Sequence, residues 1–238
     1  MTVMVRRASE RGKRTLDWFE SKFTFSFDDY YDPRYLGFGA LRALNETTVA
    51  AKGVFDPVTR SDLELVTYVC EGELLHKDSL GNDVVLGAGD VQCISAGSGI
   101  EHSSGNASGD AALRYVQIWI LPEHDGGPPR YQNVRFPAGA DSRGMRLLGS
   151  RDGRNGSLKV GRDVDLHLGA LQAGDSVAHP LGPDREAWLQ VLSGRITVNS
   201  ELLDAGDGAG FVGDAVLRVD PIGRSEEHTS ELQSHSDL

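Results

Sequence analysis

Apolar and polar positions along the chain alternate in short runs broken by turn residues. Residues 23–27, Phe23-Thr24-Phe25-Ser26-Phe27, alternate aromatic and polar side chains, the period of a half-buried strand. Residues 3–7 alternate more weakly and predict an edge strand, and the short apolar run at 41–46 predicts another. A β-branched and aromatic run at 63–69 predicts a buried strand that Glu71-Gly72 ends. Residues 74–76 and 84–86 flank a turn at Ser79-Leu80-Gly81-Asn82, and Gly87-Ala88-Gly89-Asp90 makes the next turn. The clearest strand is Leu113-Arg114-Tyr115-Val116-Gln117-Ile118-Trp119-Ile120, which stops at Leu121-Pro122 because proline cannot continue a central ladder. Short strands with turns at about ten-residue intervals predict a sandwich or barrel.

The segment 123–136 is polar and carries Gly126-Gly127-Pro128-Pro129, the composition of an inter-domain linker. Beyond it the pattern repeats in shorter form. Residues 188–194 echo 66–72, and 203–207 echo 86–90, which predicts a duplicated β unit.

A chain of 238 residues has room for two such units and their cores. The formal net charge of -11 argues against nucleic acid or an anionic membrane as a partner. Cys70 and Cys93 are too few for a disulfide framework and read as structural thiols. No N-terminal basic flank precedes a long apolar run, and no apolar stretch is long enough to span a bilayer. A soluble, cytoplasmic protein is expected.

A strand ending in glycine, a Gly-Asp turn and a later His with Asn four positions on resemble the cupin superfamily. More closely, the chain resembles the pirin family of two-cupin proteins. The matching stretches are residues 7–12, Trp18, 24–27, 30–33, 37–39, Asn45-Glu46, 62–72, 76–79, 89–92, 95–102 and 117–120. The resemblance implies an all-β bicupin, two small double-sheet, jelly-roll-like barrels in tandem. The expected domains are 1–122, a linker at 123–137, a second cupin at 138–223 that lacks its last strand, and a tail at 224–238.

The resemblance also implies one divalent transition metal, usually iron, held in the first cupin by three histidines and a glutamate. Some family members act as quercetin 2,3-dioxygenases and some as transcriptional cofactors. Neutral imidazoles and a carboxylate suit such a metal and leave a position open for oxygen or a flavonol. Carried over by position, the first two family histidines fall on Val58 and Arg60, the third is kept as His102, and the glutamate falls on Ser104. Asp62, Glu64 and Thr67 stay in register beyond them, so no gap restores the imidazoles.

One imidazole does not hold iron or zinc by itself, and a guanidinium at residue 60 places a permanent cation where the ion would sit. No bound cofactor is therefore expected. If the segment is extended, Val58, Arg60, Asp62 and Glu64 share one face. Arg60 would then pair with Glu64 inside the old cavity while His102 lines the opposite wall, or else Arg60 bends out to solvent. His102 without a ligand role is a hydrogen-bonded wall residue. His76 shapes a turn, and His167 and His179 lie in the second half with no paired imidazole.

Three readings stay open at this stage. The first is a metal-free module that binds a small molecule or a protein partner. The second is a working quercetinase with its metal, iron or another divalent ion, recruited through His102 with Glu64 or His76. The third is a truncated or chimeric gene product, because residues 224–234 read like the translation of a sequencing adapter.

Overall fold

The computed structural model describes residues 2–136, 144–213 and 215–222. Its strands run β1 (Thr2–Arg6), β2 (Gly12–Leu16), β3 (Phe19–Phe23), β4 (Leu41–Val49), β5 (Val58–Arg60), β6 (Glu64–Glu71) and β7 (Glu73–Asp78). They continue with β8 (Asp83–Gly87), β9 (Asp90–Ser95), β10 (Ile100–Asn106), β11 (Leu113–Ile120), β12 (Arg130–Arg135), β13 (Gly144–Ser150), β14 (Leu158–Lys159) and β15 (Asp165–Ala170). The last are β16 (Val177–Leu181), β17 (Glu186–Gln190), β18 (Arg195–Val198), β19 (Glu201–Asp204), β20 (Gly208–Val212) and β21 (Ala215–Pro221). The all-β bicupin is the architecture observed, in two compact units.

The larger unit is Ser9–Gly169. A seven-stranded sheet, β12-β9-β6-β11-β4-β3-β2, faces a four-stranded sheet, β5-β10-β7-β8. Strand alternation decides which side chains lie between them. Leu65 and Val69 of β6 point inward and pack with Ile94, Ile100, Leu74, Leu86 and Leu113. Val66 of the same strand points outward with Val91, Cys93 and Ile120, where Leu148, Leu158 and Val160 cover it. β6 is thus buried on both faces, which explains its near-continuous apolar run. Each fully buried valine or leucine there contributes roughly 1.5–3 kcal/mol.

The smaller unit takes in the described residues of Met1–Ala8 and Ala170–Leu238. Its sheets are β1-β20-β17 and β16-β21-β18-β19, around Val191, Val198, Leu203, Phe211 and Leu217. β1 is an edge strand, as its weak alternation predicts, and Val3 and Val5 pack on this core. Asp207 ties the segment down by accepting hydrogen bonds from Ala8 N–H at 2.7 Å and Arg7 at 2.9 Å.

The echo between the halves is structural. Asp90 accepts a hydrogen bond from Gly87 N–H and Asp207 one from Asp204 N–H, three residues back in each case. Gly89 and Gly206, at φ 89° and 88°, donate to the carbonyls of Val69 and Val191. Both turns need a residue that tolerates the left-handed region, hence glycine.

Several expectations change. Residues 24–27 are not a strand: β3 ends at Phe23, and Ser26 is drawn into a loop by bonds to Asp32 and Tyr35. The alternation there comes from a buried loop whose Phe25 is inaccessible to solvent. The expected linker contains β12, which pairs with β9 from Arg130↔Ser95 to Arg135↔Asp90. The compact units also divide the chain differently from a cut at 122 or 138. Residues 144–169 bury the outer face of the first sheet, whereas β1 pairs with β20. β21 is held by β16 on one side and β18 on the other. The closing strand expected to be missing and the tail from residue 224 lie outside the described residues.

Gly72 stands at φ +80°, and a Cβ there would lie 2.4 Å from the carbonyl oxygen of Ala112. Gly72→Ala combines backbone strain with a clash, so it destabilises by at least about 2 kcal/mol. Urea unfolding followed by tryptophan fluorescence measures the loss.

Candidate functional site

The sequence-selected positions meet on the inner face of the four-stranded sheet. β10 lies between β5 and β7, with His102 opposite Val58 on one side and Asp78 on the other. Arg60 is opposite Ile100, and Ser104 is opposite His76. Directly opposed residues of antiparallel strands project to the same side, so Val58, Arg60, His76, Asp78, His102 and Ser104 share one face.

Val58 brings no donor atom and is 37% exposed. The guanidinium of Arg60 lies over the Trp119 ring, 5.2 Å from its centroid, and reaches the carbonyl of its neighbour Thr59 at 3.3 Å. It is not paired with Glu64, contrary to the expectation. β5 stops at Arg60, and Asp62 takes φ 52° and donates its N–H to Gly97. That turn breaks the assumed extended run, so Glu64 enters β6 on the outward phase. There it accepts a hydrogen bond from Ser95 Oγ at 2.7 Å, with the Cys93 sulfur at 3.6 Å.

His102 is 8% exposed, and neither ring nitrogen has a hydrogen-bond partner among the described residues. The expected hydrogen-bonded wall histidine is therefore a buried, unsatisfied one. Burial pushes its pKa down to about 4, aided by His76 and Arg60 and opposed by Asp78. It is neutral at physiological pH.

His76 is fully buried, with its ring stacked on Tyr131 at 4.7 Å and 6.1 Å from that of His102. Its Nε2 lies 3.0 Å from Asp78 Oδ2, while Nδ1 has no partner among the described residues. A carboxylate on Nε2 favours the tautomer with the proton there, which leaves Nδ1 as a bare acceptor. Asp78 also accepts bonds from Leu80 N–H and from Asn82, so the dyad does shape the turn. Ser104 bonds the phenol of Tyr115, whose pKa burial pushes up to about 12.

The seven-stranded sheet contributes a feature not singled out from sequence. Asn45, Gln117, Thr67 and Gln92 are opposite one another on β4, β11, β6 and β9 and form a polar row across the inner face. Gln117 accepts from Trp119 Nε1 at 2.7 Å, Gln92 accepts from Tyr131 Oη at 3.1 Å, and Asn45 Oδ1 has no partner among the described residues. The signal was available: Thr67, Gln92 and Gln117 are polar residues at the inward phase of strands that are otherwise apolar there.

Among the described residues, no group of three or more His, Cys, Asp or Glu is arranged to hold a metal ion. The four positions offer one imidazole, one hydroxyl, a methyl-bearing side chain and a guanidinium, which is not the donor set of a transition-metal centre. His167 and His179 lie on β15 and β16 in different units. Burial raises the Cys70 thiol to about 11 and pushes Cys93 well above its ordinary value, so both stay protonated and unreactive.

The model of the Pirin family matches residues 4–120, and that of the quercetinase C-terminal cupin domain matches 147–227. A quercetin 2,3-dioxygenase of Escherichia coli K12 is 39% identical over 224 residues, covering 94% of this chain and 96% of that one. The chain belongs to the pirin family. A pirin-like protein of Caulobacter vibrioides is 38% identical over 210 residues, or 88% of this chain and 90% of its own. Among solved structures, the bacterial pirin YhhW of Escherichia coli, in complex with nickel(II), superposes with a TM-score of 0.87 at 38% identity. It covers 92% of this chain and 93% of that one. No helix among the described residues of this pirin is long and apolar enough to cross a membrane.

The depressed pKa of His102 has a stability consequence with a definite sign. Its contribution is fully present above about pH 6.5, the ordinary histidine value, declines as pH falls, and is gone below about pH 4. Two-dimensional NMR should show the His102 ring titrating near pH 4, and His102→Gln should flatten the acid limb of the stability profile in that window.

Proposed function

We propose that this pirin-family chain works without a metal, as a module whose inner face binds a small molecule or a segment of a partner protein. The observation that carries the reading is the pair of unpartnered nitrogens on His102 beside the permanent cation of Arg60. Buried polar groups without partners are costly, at about 1–3 kcal/mol each, and a ligand that bonds to them recovers that cost. The free acceptors are His76 Nδ1, Asn45 Oδ1 and one nitrogen of neutral His102, so a donor-rich ligand such as a hydroxylated compound suits them. Arg60, held on the Trp119 face, adds a preference for an anionic group.

The second reading is a quercetin 2,3-dioxygenase, favoured by the 39% identity to the Escherichia coli protein of that name. It requires an ion at the inner face. His102 and His76 supply two imidazoles there, and Glu64, the third candidate, faces the other side of the sheet.

Elemental analysis of the purified protein separates the two. We expect far less than one iron, nickel, copper or zinc per chain and background oxygen uptake with quercetin. Stoichiometric metal together with flavonol cleavage would establish the second reading. Val58→His, Arg60→His and Ser104→Glu together should restore metal uptake, since they rebuild a set of three imidazoles and a carboxylate.

A further inference from the structure

The outer face of the seven-stranded sheet carries a separate cavity of about 570 Å³, a size that suits small molecules. Its polar groups are unevenly employed. Asp62 accepts the N–H of Gly126 at 2.7 Å, and Glu123 is paired with Arg151 at 2.8 Å. Glu64 is 4% exposed, accepts from Ser95 Oγ through Oε2, and has no salt bridge among the described residues. Its other oxygen, Oε1, lies against Gly161, where a Cβ would stand 2.4 Å away, so only a residue without a side chain fits there.

A buried carboxylate with no cationic partner is costly unless something cationic reaches it. The thiol of Cys93 and the hydroxyl of Ser95 meet part of its hydrogen-bonding capacity but none of its charge. Other carboxylates and His124 line the cavity, but no group of three or more His, Cys, Asp or Glu among the described residues is arranged to hold a metal ion. An organic ammonium group remains the fitting counter-ion.

The neighbouring cation adds a second requirement. Arg130 forms no salt bridge among the described residues, and its Nη2 lies 3.4 Å from the same Ser95 Oγ that donates to Glu64. The Ser95 hydroxyl therefore stands between an anion and a cation, one hydrogen bond from each. An α-amino acid carries ammonium and carboxylate at a comparably short separation, in the opposite order of charge. Leu63, Pro122, Pro128 and Val160 line the rest with apolar surface.

We propose that this cavity binds a free α-amino acid with an apolar side chain, its ammonium on Glu64 and its carboxylate on Arg130. The site is distinct from the inner face and does not depend on the metal question.

The test is calorimetric titration of the full chain with L-leucine, with isoamylamine, which lacks the carboxylate, and with 4-methylvalerate, which lacks the ammonium. Leucine should bind saturably and more tightly than either half-probe. Glu64→Gln, which keeps the size of the side chain and loses its charge, should weaken leucine and isoamylamine at least about tenfold, the worth of one charge-assisted hydrogen bond. Arg130→Gln, at an exposed position, should weaken leucine to a similar degree and leave isoamylamine unchanged. No saturable binding of leucine by the unaltered chain would overturn the proposal. So would unchanged leucine affinity in Arg130→Gln, which decides the matter if Glu64→Gln fails to fold.

Discussion

The inner-face site rests on the pairing of β10 between β5 and β7. Antiparallel pairing forces opposed side chains to one side, so the register that sets His102 against Val58 and Asp78 also fixes what His102 can touch. A slip of one residue would turn His102 and Ser104 to the other face and bring Glu101 and Ser103 inward. The large buried residues Ile100 and Leu74 of the same strands prevent that slip, because it would expose them. The core and the site are therefore specified by the same ladder.

Within that frame, electrostatics gives the site its character. Arg60 cannot lose its proton, and its guanidinium is parked on an indole face instead of being neutralised by a carboxylate. Asp78 is occupied by the His76 ring and by the turn that follows. The result is a neutral His102 imidazole beside a fixed positive charge, with polar atoms left open for a ligand.

Much of this architecture was legible in the sequence. The run at 113–120 is β11 to the residue, and the Gly-Asp turns at 87–90 and 204–207 adopt one geometry because glycine and a backbone-capping aspartate dictate it. Resemblance aligned residues 58, 60, 102 and 104, and the register brings these positions to one face. What failed were statements about continuity. The Arg60–Glu64 pair assumed an unbroken strand, but Asp62 in the left-handed region turns the chain and sends Glu64 to the opposite surface. The linker looked loose because glycine and proline precede β12, yet Val134 packs under it and Arg135 grips Asp90. Composition reports local preference and does not register a partner strand forty residues away in sequence.

The placement of β1 bears on how the protein is made. Ala8 and its partner Asp207 are 199 residues apart, so β1 waits while all of that intervening chain is synthesised before its neighbour β20 exists. Through that interval the larger unit, whose strands mostly pair within a few dozen residues, can close by itself. The smaller unit cannot finish its edge until late, and a nascent chain carrying an unclaimed β1 offers a bare row of N–H and C=O groups to any other chain in reach. Vulnerability to misassembly is thus concentrated in the smaller unit.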